Sequence, residues 1–393
     1  MRKGAGMTVL TIYSGARIFD GERLHDGMAL VVEAGHVAAI LPEVAAPPGR
    51  GVALDGGVLA PGMIDLQVNG GGGVMLGARN PAEEIRTICA AHARLGSTGL
   101  LPTLITAPRA VTRAVLEAGV AAARAGVPGF LGLHLEGPHI DPRRNGAHAA
   151  DLIRPMDEDD LQMICAAAAR MPALMVTVAP SAATPDQIAR LARAGVTVAL
   201  GHSDCTLEEA RAAFAAGARG VTHLFNAMSG LSHRAPGLVG AALDEGEVWA
   251  GLIADLVHVA PEALRIALAA KRGPGRLFLV SDAMAVAGTD LESFTLGGRE
   301  IRRETGEGAG RLTLANGTLA GADITLPQAV ANIHRAGGLD LAPALAMATS
   351  LPAACVGLSG QRGRLTPGTR ADFVHLDADL ALKGTWIAGR AVV

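Results

Sequence analysis

Two histidines, His202 and His223, carry the first chemical signal in the 393-residue chain. Each stands at the end of an apolar run, residues 196–200 before Gly201-His202 and residues 220–223 up to His223, with an Ala-rich helical stretch, 206–216, between them. A right-handed strand–helix–strand unit makes the two strands neighbours in a parallel sheet, so both imidazoles project from one rim. Two imidazoles on one rim can share a metal ion. Either alone would be no more than a buried hydrogen-bond partner; the equivalent placement of both points to a ligand pair that needs a third donor.

Glu136 is the donor expected. It follows the apolar run FLGLHL at 130–135, where a carboxylate is costly unless a cation or partner neutralises it; a solvated acid at a helix start is the alternative. Glu136, His202 and His223 then supply three protein ligands and leave one position for water, as catalytic zinc sites do. His134 shares Glu136's side of the strand by the period of two and is expected to hydrogen-bond around the site rather than bind the ion. Asp282, in LFLVSDAM at 277–284, suits a general base that takes a proton from a water acidified by the ion and returns it to a leaving group. A loop-capping or helix-capping aspartate is the alternative.

Positioning these groups requires strands that all end on one rim. Apolar runs recur near 64–68, 99–104, 130–135, 174–178, 196–200, 220–223, 248–254 and 277–280, with amphipathic Ala-rich segments between most of them. That rhythm predicts an α/β fold, a (β/α)8 TIM-like barrel. An open doubly wound sheet is the runner-up, and no GxGxxG fingerprint follows the first strand to support it. The glycines at 70–73 read as a place where backbone passes close to a site. Both chain ends carry short β-like runs, so residues 1–60 plus 361–393 are expected to form a small β-sandwich domain flanking the barrel of 61–360. Residues 294–320, with Asn316-Gly317, read as an inserted β-hairpin.

Composition narrows the partners. A formal net charge of −3 and 3% aromatic residues offer neither the electrostatics nor the stacking platforms of a nucleic-acid binder. Half the chain is hydrophobic and 18% charged, as in a globular protein built for a small molecule. The amino-terminal stretch lacks the apolar centre of a signal peptide, and Met7 is an alternative start. The longest charge-free run, 341–361, holds Pro343 and Pro352 and reads as no membrane span. Cys89, Cys165, Cys205 and Cys355 show no CxxC spacing, consistent with reduced thiols of a cytoplasmic protein.

Taken in order, PGMIDLQVNG (61–70), HLEGP (134–138), GHSD (201–204), HLFNAM (223–228), IADLVHV (253–259) and SDAM (281–284) resemble the N-acetylglucosamine-6-phosphate deacetylases of the amidohydrolase superfamily, in register over nearly the whole chain. Many amidohydrolases carry His-x-His at the end of strand one; here Gln67-Val68-Asn69 stands there, and amides are poor zinc ligands. The resemblance is therefore to the single-metal branch and implies one divalent ion per subunit, zinc first, with Fe2+, Co2+ or Mn2+ as alternatives, and at most a weak second-ion or water contact at Gln67.

The resemblance also implies a homodimer. Asn226 and Ala227 would meet the sugar phosphate, Arg234 would reach it from the neighbouring subunit, Ala147, His148 and His258 would contact substrate, and Leu319, Ala320 and Gly321 would close over it. The implied reaction is hydrolysis of N-acetylglucosamine 6-phosphate to glucosamine 6-phosphate and acetate, in amino-sugar catabolism or cell-wall recycling. N-acetylgalactosamine-6-phosphate deacetylation, dihydroorotase-like or aminoacylase-like chemistry, and a non-catalytic scaffold are the alternatives.

Overall fold

A computed structural model describes residues 9–304 and 310–392. The alternative start at Met7 and the middle of the expected 294–320 hairpin lie outside the described residues. Eight parallel strands follow one another in chain order: β1 Met63–Val68, β2 Ser97–Ile105, β3 Gly132–Glu136, β4 Ala173–Val178, β5 Thr197–Leu200, β6 Gly220–Val221, β7 Trp249–Leu252 and β8 Leu277–Leu279. The sheet closes on itself. Val68 and Ala283 form a parallel bridge, Asn69 N donates to Ala283 O (2.8 Å), and Asp282 N donates to Gln67 O (3.0 Å). Closure rules out the open doubly wound alternative and brings the last strand beside the first, so that Asp282 meets Gln67 across more than two hundred residues of chain.

Every residue of β1, β3 and β4 is buried, because one face fills the barrel and the other is covered by helices. Such strands read as continuous apolar runs rather than alternating ones. The strands near the site stop short of the sequence expectation. β6 is two residues long rather than reaching His223, because His223 takes φ +29° and leaves the extended region.

The helix that follows β5 shows how the sequence holds this rim. Thr206 accepts from Glu209 N, and the Glu209 side chain accepts in turn from Thr206 N (2.8 Å), a capping box that starts helix Leu207–Ala215 five residues after His202. A cap of this kind stabilises a helix by about 1 kcal/mol. Ala210 and Ala213 form the buried face, and their small side chains let the helix lie close to the barrel. Thr206→Ala is the single change that would release its first turn.

The chain ends form two stacked sheets. Thr11–Ser14, Met28–Glu33, His36–Pro42 and Arg50–Ala53 make one; Arg17–Phe19, Leu24–His25 and Val58–Pro61 join the C-terminal strands Phe373–Leu376, Leu382–Ile387 and Arg390–Ala391 in the other. Tyr13, Phe373 and Trp386 pack together in this sandwich, with Phe373 and Trp386 stacked at 4.9 Å and Tyr13 edge-on to Phe373 at 4.8 Å. The sandwich contains strands from both ends of the sequence, as expected.

The inserted segment is larger than one hairpin. Ser293–Leu296, Arg299–Glu304, Gly310–Leu314 and Leu319–Asp323 form a four-stranded antiparallel sheet. Asn316-Gly317 marks only its last turn; Gly297 and Gly298, both at positive φ, make the first. Leu296, Ile301, Leu312 and Ala320 bury one face of this sheet against Met75, Met284, Ala285 and Val286, which seats it over the rim. Leu319–Asp323 runs past the site because Ala322 N donates to Asp282 O (3.0 Å). Gly321 permits this approach: at φ +71°, a Cβ there would lie 2.6 Å from Met284 Cε.

Candidate active site

Glu136 ends β3, His202 and His223 stand just past β5 and β6, and Asp282 lies just past β8. Glu136 Oε1 lies 3.2 Å from His202 Nε2 and 3.0 Å from His223 Nε2, and the two imidazole nitrogens are 3.0 Å apart. His202 Nδ1 donates to Arg144 O (2.8 Å), so its Nε2 carries a lone pair into the cluster. Lone pairs this close repel unless a cation or a shared proton lies among them. Ligands of a tetrahedral zinc ion at about 2.0–2.1 Å stand roughly 3.3 Å apart, so the spacing fits an ion held by these three side chains. His223 Nδ1 is buried without a hydrogen-bond partner among the described residues.

The backbone is strained where these groups sit. His202 (φ +45°), His223 (φ +29°) and Asp282 (φ +49°) all occupy the left-handed region, which non-glycine residues enter at an energetic cost and which clusters at functional sites. The strain turns side chains that would otherwise follow the strand pleat over the barrel mouth.

Gln67 links the two acids. Its Nε2 donates to Glu136 Oε1 (3.0 Å) and to Asp282 Oδ1 (3.1 Å), and Asn69 Nδ2 also donates to Asp282 Oδ1 (2.7 Å). An amide turned this way is a donor to carboxylates. Its nitrogen, rather than its oxygen, faces the two acids. Burial pushes Asp282 up to about 6, helped by the negative charge of Glu136 and opposed by His223, His258 and the Asn69 hydrogen bond. Burial acts in the same direction on Glu136, but hydrogen bonds and charge from His202 and His223 outweigh it and hold that carboxyl well below the usual range. The two acids thus have separated proton affinities, the pattern of a ligand beside a proton carrier.

His148 is buried. Its Nδ1 faces Thr106 Oγ1 at 2.8 Å, its Nε2 lies 3.8 Å from Glu136 Oε2, and its ring centre is 4.3 Å from that of His202. Glu136, His148 and His202 also offer donor atoms within 4.8 Å of one another, so His148 stands within reach of the same ion. Burial, then the charge of His202, depresses His148 to about 3, which keeps the ring neutral. His134 lies beneath the cluster, with Nδ1 to Leu66 O (3.0 Å) and Nε2 to Thr177 Oγ1 (2.7 Å).

A cavity of about 400 Å3 opens over these groups, lined also by Ala147, Asn226, Ala227, His258, Leu319 and Gly321. Ala320 does not line it; its side chain is buried in the inserted sheet. His258 is held by Asp255, Nδ1 to Oδ2 at 2.6 Å, and Asp255 also accepts from Val257 N and His258 N. Asn226 is used within its own turn: its N donates to His223 O (2.9 Å) and its Nδ2 approaches His223 O and Leu224 O at 3.3 Å. The neighbouring Ala227, at φ +49°, lines the cavity, and among the described residues its N–H makes no hydrogen bond.

Arg234 is exposed and does not line this chain's cavity. Arg143 and Arg144 do, although both are paired, with Asp141 (2.7 Å) and Asp204 (2.6 Å). Sequence reasoning had missed these two, and Asn69 and Asp255 as orienting partners. Asp255 stood three residues before His258, a spacing that places both on one side of a turn and was the available signal. No described helix is long and apolar enough to cross a membrane.

The amidohydrolase family model matches residues 58–392. The chain is 35% identical over 388 residues to an N-acetylgalactosamine-6-phosphate deacetylase of Shewanella sp. (strain ANA-3), covering 97% of this chain and 95% of that one. It is 34% identical over 382 residues to an N-acetylglucosamine-6-phosphate deacetylase of Vibrio furnissii, covering 96% and 93%. Among solved structures, the N-acetylglucosamine-6-phosphate deacetylase of Pasteurella multocida superposes with a TM-score of 0.91 at 31% identity, over 97% of this chain and 99% of that one.

Proposed function

The chain belongs to the amidohydrolase family, and from that premise we propose that it is an N-acetylhexosamine-6-phosphate deacetylase. It hydrolyses the acetamide of N-acetylglucosamine 6-phosphate to glucosamine 6-phosphate and acetate, in the cytoplasm and in amino-sugar catabolism. The observation that carries this reading is the convergence of Glu136, His202 and His223 within 3.2 Å, with Asp282 tied to Glu136 through one amide. The galactosamine epimer is the second reading, favoured by the likeness to the Shewanella protein.

Glu136, His202 and His223 hold one divalent ion, zinc first, which when bound supplies Lewis acidity toward water and the acyl oxygen. Asp282 takes the proton from the attacking water and later delivers it to the departing nitrogen. Gln67 and Asn69 fix Asp282 in place, so the carboxylate needs no reorientation between the two transfers. His258, its Nδ1 donating to Asp255, turns its other edge to the cavity, where Nε2 accepts from a sugar hydroxyl or the amide N–H. His148 contacts the substrate from the Glu136 side.

The phosphate is held at the Asn226-Ala227 turn, where the Ala227 N–H is the donor. Arg143 and Arg144 are already paired with acids, so a further cation is required, and Arg234 of a second subunit supplies it in a homodimer. Acetate release from N-acetylglucosamine and N-acetylgalactosamine, each with and without the 6-phosphate, tests the reading when metal content is measured on the same sample. Equal turnover of the unphosphorylated sugars would overturn the phosphate assignment, and no acetate from any of the four would overturn the reaction.

A further inference from the structure

A second cavity, about 250 Å3, lies behind one wall of the active-site cavity. Ile105 and Ala147 are the residues that line both. The far side is mostly apolar, with Leu76, Leu104, Val111, Leu152 and Leu296 outnumbering Thr103, Thr106 and Thr295. Arg299 clips its roof in place through a hydrogen bond from its guanidinium to the Ala147 carbonyl.

Ile105 closes β2 in register with Glu136 on β3. Partners in register on adjacent strands face the same way, so the isoleucine lies beside the carboxylate at the reacting centre. Ile105 and Ala147 also pack against the apolar cluster that holds Met284, two residues past Asp282. An N-acetylhexosamine phosphate is hydroxylated and charged everywhere except at the acyl methyl. Ile105, Ala147 and Met284 supply apolar surface to the active-site cavity that also holds Glu136 and Asp282, the chemistry that suits this methyl.

We propose that Ile105 and Ala147 form a partition that sets the acyl-chain length. With the partition closed the site accepts acetyl; behind it stands room for the additional methylenes of a propionyl or butyryl group. The proposal rests on the deacylase reading, since it concerns the acyl group of the same substrate.

The test compares kcat/KM of the wild type, Ile105→Ala and Ala147→Val on N-acetyl-, N-propionyl- and N-butyrylglucosamine 6-phosphate. A methylene in an apolar pocket changes specificity by about tenfold or more. Ile105→Ala is expected to raise the butyryl-to-acetyl ratio at least about tenfold, and Ala147→Val to lower the propionyl-to-acetyl ratio. Ratios in Ile105→Ala that match the wild type would overturn the partition. Should that variant fail to fold, an unchanged ratio in Ala147→Val would overturn it instead. A wild type that releases no acetate fails the deacylase reading as well, an outcome distinct from an active enzyme whose chain-length preference does not move.

Discussion

Replacing Asp282 by Asn separates catalysis from stability, because the two should move in opposite directions. Asn keeps the Oδ1 that accepts from Gln67 and Asn69, so the local hydrogen bonds survive while the charge and the titrating proton are lost. Asp282 is raised to about 6 in the folded chain, against about 3.9 in an unfolded one. The folded state therefore holds this proton more tightly. Its stability is greatest below pH 3.9, falls as pH rises from 3.9 to 6, and then levels. Two pKa units correspond to about 3 kcal/mol at pH 7.

In protein stripped by a chelator, Asp282→Asn should be more stable than wild type by up to about 3 kcal/mol at pH 7, with no difference below pH 4. In metal-loaded protein the same variant should lose about 10^2- to 10^4-fold in kcat, the contribution of a positioned acid–base group, while retaining its metal. Urea titrations at the two pH values and acetate-release kinetics measure both halves. Undiminished kcat would refute the proton-carrier role, and equal stability at pH 7 would refute the account of a carboxylate strained by burial and by its neighbour Glu136.

Three further outcomes follow from the same geometry. Glu136→Gln should lose the bound ion and lower activity by more than the ten- to hundredfold typical of residues that merely support metal ligands, read by metal analysis beside turnover. Arg234→Ala should raise KM for the sugar phosphate, and mixing it with Asp282→Asn should restore activity if the sites share residues across subunits; no recovery on mixing would place Arg234 outside the neighbour's site. His92 is buried with Nε2 on Gly70 O (2.9 Å), and burial lowers it to about 4. The stability it lends is complete above pH 6.5 and lost as pH falls through 4, so His92→Gln should flatten acid destabilisation over that window by up to about 3 kcal/mol in urea titrations at pH 7 and pH 4.

The barrel was legible because buried parallel strands are written as uninterrupted apolar runs, and Glu136, His202, His223 and Asp282 were legible because a polar residue ending such a run has few structural reasons to be there. The inserted sheet was harder. Its strands are short and some carry almost no apolar residues, as in Arg299–Glu304, where Ile301 alone is apolar, and only Asn316-Gly317 stood out. Arg143, Arg144 and the burial of His148 were illegible for another reason: a loop of mixed charge reads as solvated until its fold is known.

The sequence by itself determined which polar residues follow the apolar runs of the barrel strands, since such runs are local properties of composition. Only the tertiary structure decided what those ends do to one another. Closure of β8 onto β1 places Gln67 between Glu136 and Asp282, and the inserted sheet packs over the rim to leave one cavity above the acids and another behind Ile105. Gln67 joins residues 69 and 215 positions away, and the proton affinities and cavity walls arise from distances that no local pattern encodes.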